Sequence, residues 1–332
     1  MDKIKARFAP SPTGWLHVGG ARTALFNYLL AKKTGGTLVL RLEDTDRARH
    51  DESAVEKIAD DLKWLGIEWD EGVGVGGDAG PYRQSERLDI YTERIETLLA
   101  EGKAYCTFET ADELDAMRAA QGEHGGFKYP RPDPLPTAEQ AEAARVEGKP
   151  VVVRFIVPGE AVTIVDDVFG EITVAADEQD DFIIRKADGY PTYHLANVVD
   201  DAMMGINFIM RGQEFLGQTW RHAVLREAFG YPTPRYAHLP LIMDMQGRKL
   251  SKRDGDVEVH AFRKAGFMPE ALVNFIAMLG WNPGTEEERF TLAELVEAFS
   301  TDRINKSNAK FDRDKLSAFS TDWIANASDD RR

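Results

Sequence analysis

The sequence predicts an α/β protein: a doubly wound parallel sheet, interrupted by a smaller α+β unit and followed by a helical region. Three observations predict it. Residues 7–30, RFAPSPTGWLHVGGARTALFNYLL, run from an apolar, β-prone start through two prolines and a glycine into a helix. There Ala21, Ala24, Leu25, Tyr28 and Leu29 recur at amphipathic helical spacing. Strand–helix alternation continues to residue 103 and returns after residue 190, whereas the stretch between holds short alternating strands and a proline-rich segment. The expected units are 1–103 and 190–255, two halves of one sheet, with 104–189 as an insertion and 256–332 as the helical region.

The first helix stops at Gly35-Gly36. TLVLRLED then reads as a buried strand ending in acids, and Thr45-Asp46 is placed to cap the next helix. That helix turns Val55, Ile58, Leu62 and Leu65 inward and stops at Gly66. A third runs from about Ser85 to Gly102 on Leu88, Tyr91, Ile95 and Leu98. Residues 72–77, GVGVGG, satisfy the dinucleotide fingerprint G-x-G-x-x-G. That motif needs a strand before it and a helix on it. Here the acidic turn EWDE precedes and DAGPYRQSER follows, so a flexible loop is the reading. In the insertion, AYCTF is a short strand, ADELDAMRAAQ is helical, and VVVRFIVP, AVTIVDD, GEITVAA and DFIIRK are strands. The sheet resumes with YPTYHLANVVDDAMMGINFIMRGQE, in which FIMRG is a strand, and Phe215 to Phe229 form an amphipathic helix. ALVNFIAMLGW, LAELVEAF and DKLSAFSTDWIA are helices of the last region.

The chain has 332 residues, enough for two or three domains with a large core. Residues 1–15 contain no apolar signal-like stretch and no apolar run approaches a membrane span, which argues against a secreted or membrane protein. The lone cysteine, Cys106, excludes an internal disulfide framework and any multi-cysteine zinc site. A reducing cytoplasm is expected. The net charge of −15 argues against non-specific nucleic-acid binding, although Arg248–Arg253 and the run Arg303, Lys306, Lys310, Arg313, Lys315 are locally basic. His50, His124, His194, His222, His238 and His260 show no metal-ligand spacing, and no metal site of the protein's own is expected.

Chemistry concentrates in two words. His17-Val18-Gly19-Gly20 stands at the start of the first helix, where unpaired N–H groups and the helix dipole favour an anion and a histidine adds a donor. Far downstream, HLPLIMDMQGRKLSKRDG places Lys249 and Lys252 in a loop bounded by glycines after an apolar strand, which suits a flap that sets lysines on a polyphosphate. In this order the two words resemble the HIGH and KMSKS signatures of class I aminoacyl-tRNA synthetases. RFAPSPTGWLHVGGARTALFNYLLA, LRLEDTDR, GPYRQSER and INKSNAKFD are similar to the glutamyl-tRNA synthetase branch, from about residue 5 to about residue 316.

The resemblance implies a Rossmann-type catalytic domain, an inserted domain gripping the tRNA acceptor stem, and C-terminal helices contacting that stem. It implies ATP-dependent activation of L-glutamate and transfer to the 3′ end of tRNA(Glu), with ATP and accompanying Mg²⁺ as cofactors and no zinc. A monomer is expected. Activation joins a carboxylate to the α-phosphate of ATP, so the protein must hold reactants in line and neutralise charge. His17, Lys249 and Lys252 take the catalytic part, with Gly19, Gly20 and Glu214 completing the ATP site. For glutamate, Arg7 and Arg211 are the carboxylate grips and Glu43 the ammonium partner. The matching words RFAPS and TYHLAN add Ala9, Ser11, Tyr193 and Asn197. Arg7 and Glu43 also fit a structural salt bridge, Tyr193 fits a core position, and His194 reads as structural.

The family would continue into an anticodon-binding domain. The chain is therefore either a catalytic fragment or akin to the short paralogues that glutamylate queuosine in tRNA(Asp). Glutamine as substrate and a non-catalytic tRNA-binding module are the remaining rivals.

Overall fold

The structure, a computed structural model, describes residues 2–46, 51–122, 127–250 and 257–326. The first stretch carries β1 (Lys5–Phe8), α1 (Val18–Lys33), β2 (Thr37–Leu40), α2 (Glu52–Trp64), β3 (Glu71–Gly72) and α3 (Leu88–Ala100). Next come β4 (Ala104–Thr107), α4 (Ala111–Gln121), α5 (Ala138–Val146), β5 (Val152–Phe155), β6 (Val162–Asp166), β7 (Gly170–Val174) and β8 (Phe182–Arg185). The second half has α6 (Tyr193–Met203), β9 (Phe208–Gly212), α7 (Thr219–Ala228), β10 (Arg235–Leu239) and β11 (Ile242–Met243). The remainder holds α8 (Val259–Lys264), α9 (Pro269–Ala277), α10 (Leu292–Ala298), β12 (Ala309–Lys310) and α11 (Arg313–Ala325).

β1, β2 and β3 are parallel and adjacent in that order, and β9, β10 and β6 are parallel in a second set edged by antiparallel β7. The sets meet at β1 and β9. Asn207 N–H donates to the Lys5 carbonyl at 3.1 Å, and the Asn207 side chain accepts from Lys5 N–H and donates to the Lys3 carbonyl. No further backbone pairing joins these two strands among the described residues, so their C-terminal ends part where the strand order reverses, the place where such folds bind ligands.

Both faces of the sheet are covered, and the strands show it by residue parity. Leu38, Leu40, Phe208, Met210, Ala237 and Leu239 join the core shared with α1 and α9. Val39, Ile209 and Tyr236 join the core shared with α3, α6 and α7.

Several expectations meet differences with clear causes. α1 is buried on almost every side rather than amphipathic, because α9 and α10 cover its outer surface, and it even buries Arg22 and Asn27. Gly36 must be glycine, since a Cβ there would strike the Ile4 backbone. α2 is capped by Asp51, which accepts from Ser53 N–H at 2.9 Å, not by Thr45-Asp46. The sheet resumes later than its word suggests: YHLANVVDDAM is helix α6, and β9 follows. Residues 213–218 are a 3₁₀ turn before α7. GVGVGG carries no helix. It is a tight loop closed by reciprocal bonds between Gly72 and Gly76, with positive φ at Gly72, Gly74, Gly76 and Gly77. The largest difference concerns the insertion. Its antiparallel sheet is β4-β5-β8 alone, while the β6–β7 hairpin hydrogen-bonds to β10 through Asp167 N–H and the Tyr236 carbonyl at 2.7 Å. Strand pairing across some seventy residues leaves no mark on local alternation.

Candidate functional site

At the parted ends of β1 and β9 lies a pocket of about 470 Å³. Thirteen residues are expected at the site from sequence. Arg7, Ala9, Ser11, His17, Gly19, Gly20, Glu43, Tyr193, Asn197, Arg211, Glu214 and Lys249 line this pocket, and Lys252 lies outside the described residues.

One end is built by α1. His17 is its N-cap, in extended conformation, with Nδ1 accepting from Gly20 N–H at 3.0 Å. Accepting at Nδ1 puts the imidazole proton on Nε2, which becomes a donor. The Gly20 N–H is thus committed to His17 rather than offered to a ligand. A Cβ on Gly19 would sit 3.1 Å from the His17 ring, so glycine there lets the imidazole lie against the helix start. Glu214 folds over Gly212, close enough that a Cβ there would collide with its carboxylate. Arg22 lies beneath, donating to the Leu279 and Pro240 carbonyls; burial, partly offset by Glu214, lowers its pKa to about 10.

The described residues on either side of 251–256 are both anchored. Leu250 N–H donates to the Ile242 carbonyl and Lys249 bridges Met243, so Lys249 rides a short hairpin whose other edge is β12. At residues 257–259 the chain pairs with the histidine turn: Val18 N–H bonds the Val257 carbonyl at 2.9 Å and Val259 N–H the Leu16 carbonyl at 2.8 Å.

The other end rests on a largely buried ionic network. Asp201 accepts from Arg7 Nε at 3.1 Å and Arg41 Nη1 at 2.7 Å, and Asp200 accepts from Arg87 Nε at 2.7 Å and Tyr91. Arg41 also reaches Glu43 at 3.2 Å. Arg7, Arg41 and Arg87 thus stand against Glu43, Asp200 and Asp201, three charges of each sign. The alternative of an Arg7–Glu43 pair is replaced by Arg7–Asp201 and Arg41–Glu43. Arg7 is held by Nε alone, and its terminal N–H groups have no protein acceptor among the described residues. Asn197 donates to Glu43 Oε1 at 2.7 Å, while its own Oδ1 is buried without a partner and Glu43 Oε2 accepts nothing from a described residue. Burial pushes the Glu43 carboxyl up, against the pull of Arg41 and Arg7. The uncommitted Glu43 oxygen on the pocket wall suits an ammonium group.

Arg211 differs. Its partners are His238 Nε2 at 3.1 Å, Tyr193 Oη at 2.8 Å, Thr219 Oγ1 at 2.9 Å and His222 Nδ1 at 3.4 Å. None is a carboxylate. His222 is driven well below the usual histidine range by burial and then by Arg211, and His194 behind it to about 3 by burial, so both are neutral. A guanidinium only 5% exposed with neutral partners alone is a cation awaiting an anion. The pocket therefore sets the His17 imidazole and Lys249 at one end against the Glu43–Asn197 pair and the uncompensated Arg211 guanidinium at the other.

Sequence reasoning missed the backing: Arg41, Asp200, Asp201, His222, His238 and Thr219. The one local signal was the paired acids of VVDD on an otherwise apolar helix face.

Residues 3–318 match the family described as tRNA synthetases class I (E and Q), catalytic domain. The chain is 50% identical over 330 residues to a glutamate–tRNA ligase of Halalkalibacterium halodurans, covering 98% of this chain and 68% of the relative. It is 48% identical over 328 residues to that of Carboxydothermus hydrogenoformans, with the same coverage. The crystal structure of a glutamate tRNA ligase from Elizabethkingia meningosepticum, in complex with its amino acid, superposes with a TM-score of 0.92 at 38% identity, over 99% of this chain and 71% of that one.

Proposed function

Because the chain belongs to the class I tRNA synthetases of the glutamate and glutamine type, we propose that it activates L-glutamate with ATP and transfers it to the 3′ end of tRNA(Glu). The observation that carries glutamate is Arg211, a buried guanidinium with no carboxylate among its partners. A carboxamide would leave that charge uncompensated. Arg7, pinned from below, offers its terminal N–H groups to the same ligand, and Glu43, oriented by Asn197 Nδ2, receives the ammonium. Ala9 and Ser11 close the wall between β1 and the histidine turn.

In the reaction, an α-carboxylate oxygen attacks the α-phosphorus and pyrophosphate leaves. A carboxylate nucleophile needs no general base. His17 Nε2–H and Lys249 face the charge that develops on the phosphates, with Lys252 proposed beside them and Glu214 on the nucleoside side. Among the described residues no group of three or more His, Cys, Asp or Glu side chains could hold a metal ion. Magnesium arriving with ATP is proposed to be held mostly by phosphate oxygens and water, neutralising phosphate charge. Residues 104–189 are proposed to meet the acceptor stem and the region after 256 to flank it. No helix among the described residues is long and apolar enough to cross a membrane, and a cytoplasmic site of action is proposed.

ATP–pyrophosphate exchange with glutamate, with and without tRNA(Glu), tests the reading. Exchange that requires the tRNA is expected. Exchange without tRNA would point to the queuosine-modifying paralogues instead, and none at all in folded protein would sink the synthetase reading.

Gly19→Ala probes the ATP end. The new methyl presses on the His17 ring and strains its cap to Gly20 N–H. Since such a cap contributes ~1 kcal/mol, KM for ATP should rise about fivefold, with KM for glutamate unmoved in the same exchange assay. A shift confined to glutamate would contradict this division of the pocket.

A further inference from the structure

Arg211 is held from behind by a chain that starts on the β6–β7 hairpin. Asp166 Oδ2 accepts Nδ1–H of His238 at 2.7 Å, and both side chains are wholly buried. The other oxygen, Oδ1, accepts from the Val168, Phe169 and His238 backbone N–H groups. That acceptor fixes the imidazole with its proton on Nδ1, which leaves Nε2 bare to accept from Arg211 Nε. Thr219 Oγ1 accepts from Arg211 Nη2 at 2.9 Å, with the Phe215 carbonyl at 2.9 Å and His238 Nε2 at 3.2 Å within reach of its own proton. Burial keeps His238 below the usual histidine range, an effect only partly offset by Asp166.

We propose that Asp166 and His238 are positioning residues for side-chain selection: by fixing the His238 tautomer they hold the Arg211 fork in register and free of counter-charge, so that the pocket takes a carboxylate and rejects a carboxamide. This deepens the glutamate reading and rests on it. The opposite tautomer would set an imidazole N–H against the Arg211 Nε–H, and two opposed donors would push the guanidinium out of place. A carboxylate at the position of His238 would neutralise Arg211 and erase its preference for an anion. Asp166 itself lies two links from any ligand and acts only through His238.

The test is Asp166→Asn, which keeps the shape and releases the tautomer, assayed by tRNA-supported exchange with glutamate and with glutamine. KM for glutamate should rise about tenfold and the preference over glutamine fall by a similar factor, since small misplacements of a charged clamp are costly. Both KM for ATP and kcat at saturating glutamate should stay within about twofold, which a merely structural defect would not spare. His238→Gln can accept from Arg211 and donate to Asp166, and should retain glutamate KM within about threefold. If Asp166→Asn does not fold, His238→Phe, which removes both nitrogens, carries the same expectation. A folded Asp166→Asn protein with unchanged glutamate KM, or one whose ATP KM and kcat fail in step, overturns the proposal. Failure of the underlying reading is distinguishable, because it would remove glutamate exchange from the unsubstituted protein.

Discussion

Arg211→Ala should lower kcat/KM for glutamate by about three orders of magnitude, the cost of deleting a buried, hydrogen-bonded charge partner at roughly 4 kcal/mol. The deletion acts on both states of the pocket. Without ligand it removes the cation that Tyr193, Thr219, His222 and His238 surround, leaving their acceptor atoms unpaired. With ligand it leaves the side-chain carboxylate facing neutral groups in a buried place, where only Arg7 remains to meet it. The proposed ATP end, at His17 and Lys249, shares no partner with Arg211, so ATP affinity should change less than about twofold, given the additivity of such sites. Equilibrium binding of ATP and exchange kinetics over a glutamate titration separate the two. An Arg211→Ala protein with the glutamate KM of its parent would disprove the clamp. Arg211→Lys should recover little, because one ammonium cannot reproduce a planar fork held at three nitrogens.

The contrast between clamp and backing shows what a sequence can display. Arg7 and Arg211 lie beside the expected strand termini of RFAPS and FIMRG and Glu43 at the end of RLE, and strand ends on a parallel sheet all face one crevice, so their meeting was legible. His17 was legible because glycines and a helical period follow it at once. The residues that aim these groups were not. Asp201 lies 194 positions from Arg7 and Asp166 lies 72 from His238, and inside a helix or strand each reads as an ordinary polar interruption. The β6–β7 hairpin has the same alternating pattern whichever sheet accepts it, so only β10 beside it decides. Likewise, the outer face of α1 is apolar because α9 and α10, more than two hundred residues later, lie on it. Local pattern specified the elements; distant pairing specified what holds the pocket rigid.

Asp201→Asn should destabilise the fold by about 3–5 kcal/mol, the scale for breaking a buried ion pair by removing one partner. Its carboxylate has no solvent exposure and faces Arg7 and Arg41 together. An amide leaves three guanidiniums against Glu43 and Asp200, in a buried place that screens the surplus weakly. Burial alone would raise the Asp201 carboxyl; Arg7 and Arg41 overcome it and hold the pKa at about 2. A folded-state pKa below the unfolded value of about 3.9 means a stabilisation present in full above pH ~4 and lost as pH falls towards 2, worth roughly 2–3 kcal/mol at neutrality. Urea midpoints at neutral pH check the first number, and their acid dependence should flatten in the variant. Arg41→Met combined with Asp201→Asn restores two charges of each sign and should recover much of the loss, a coupling between neighbours that independent sites would not show. If the double variant instead costs the sum of the singles, charge balance is not what holds this network together. The same variant reports on function, since Asp201 is the only described side chain fixing Arg7: loss of that anchor should raise glutamate KM even where the protein remains folded.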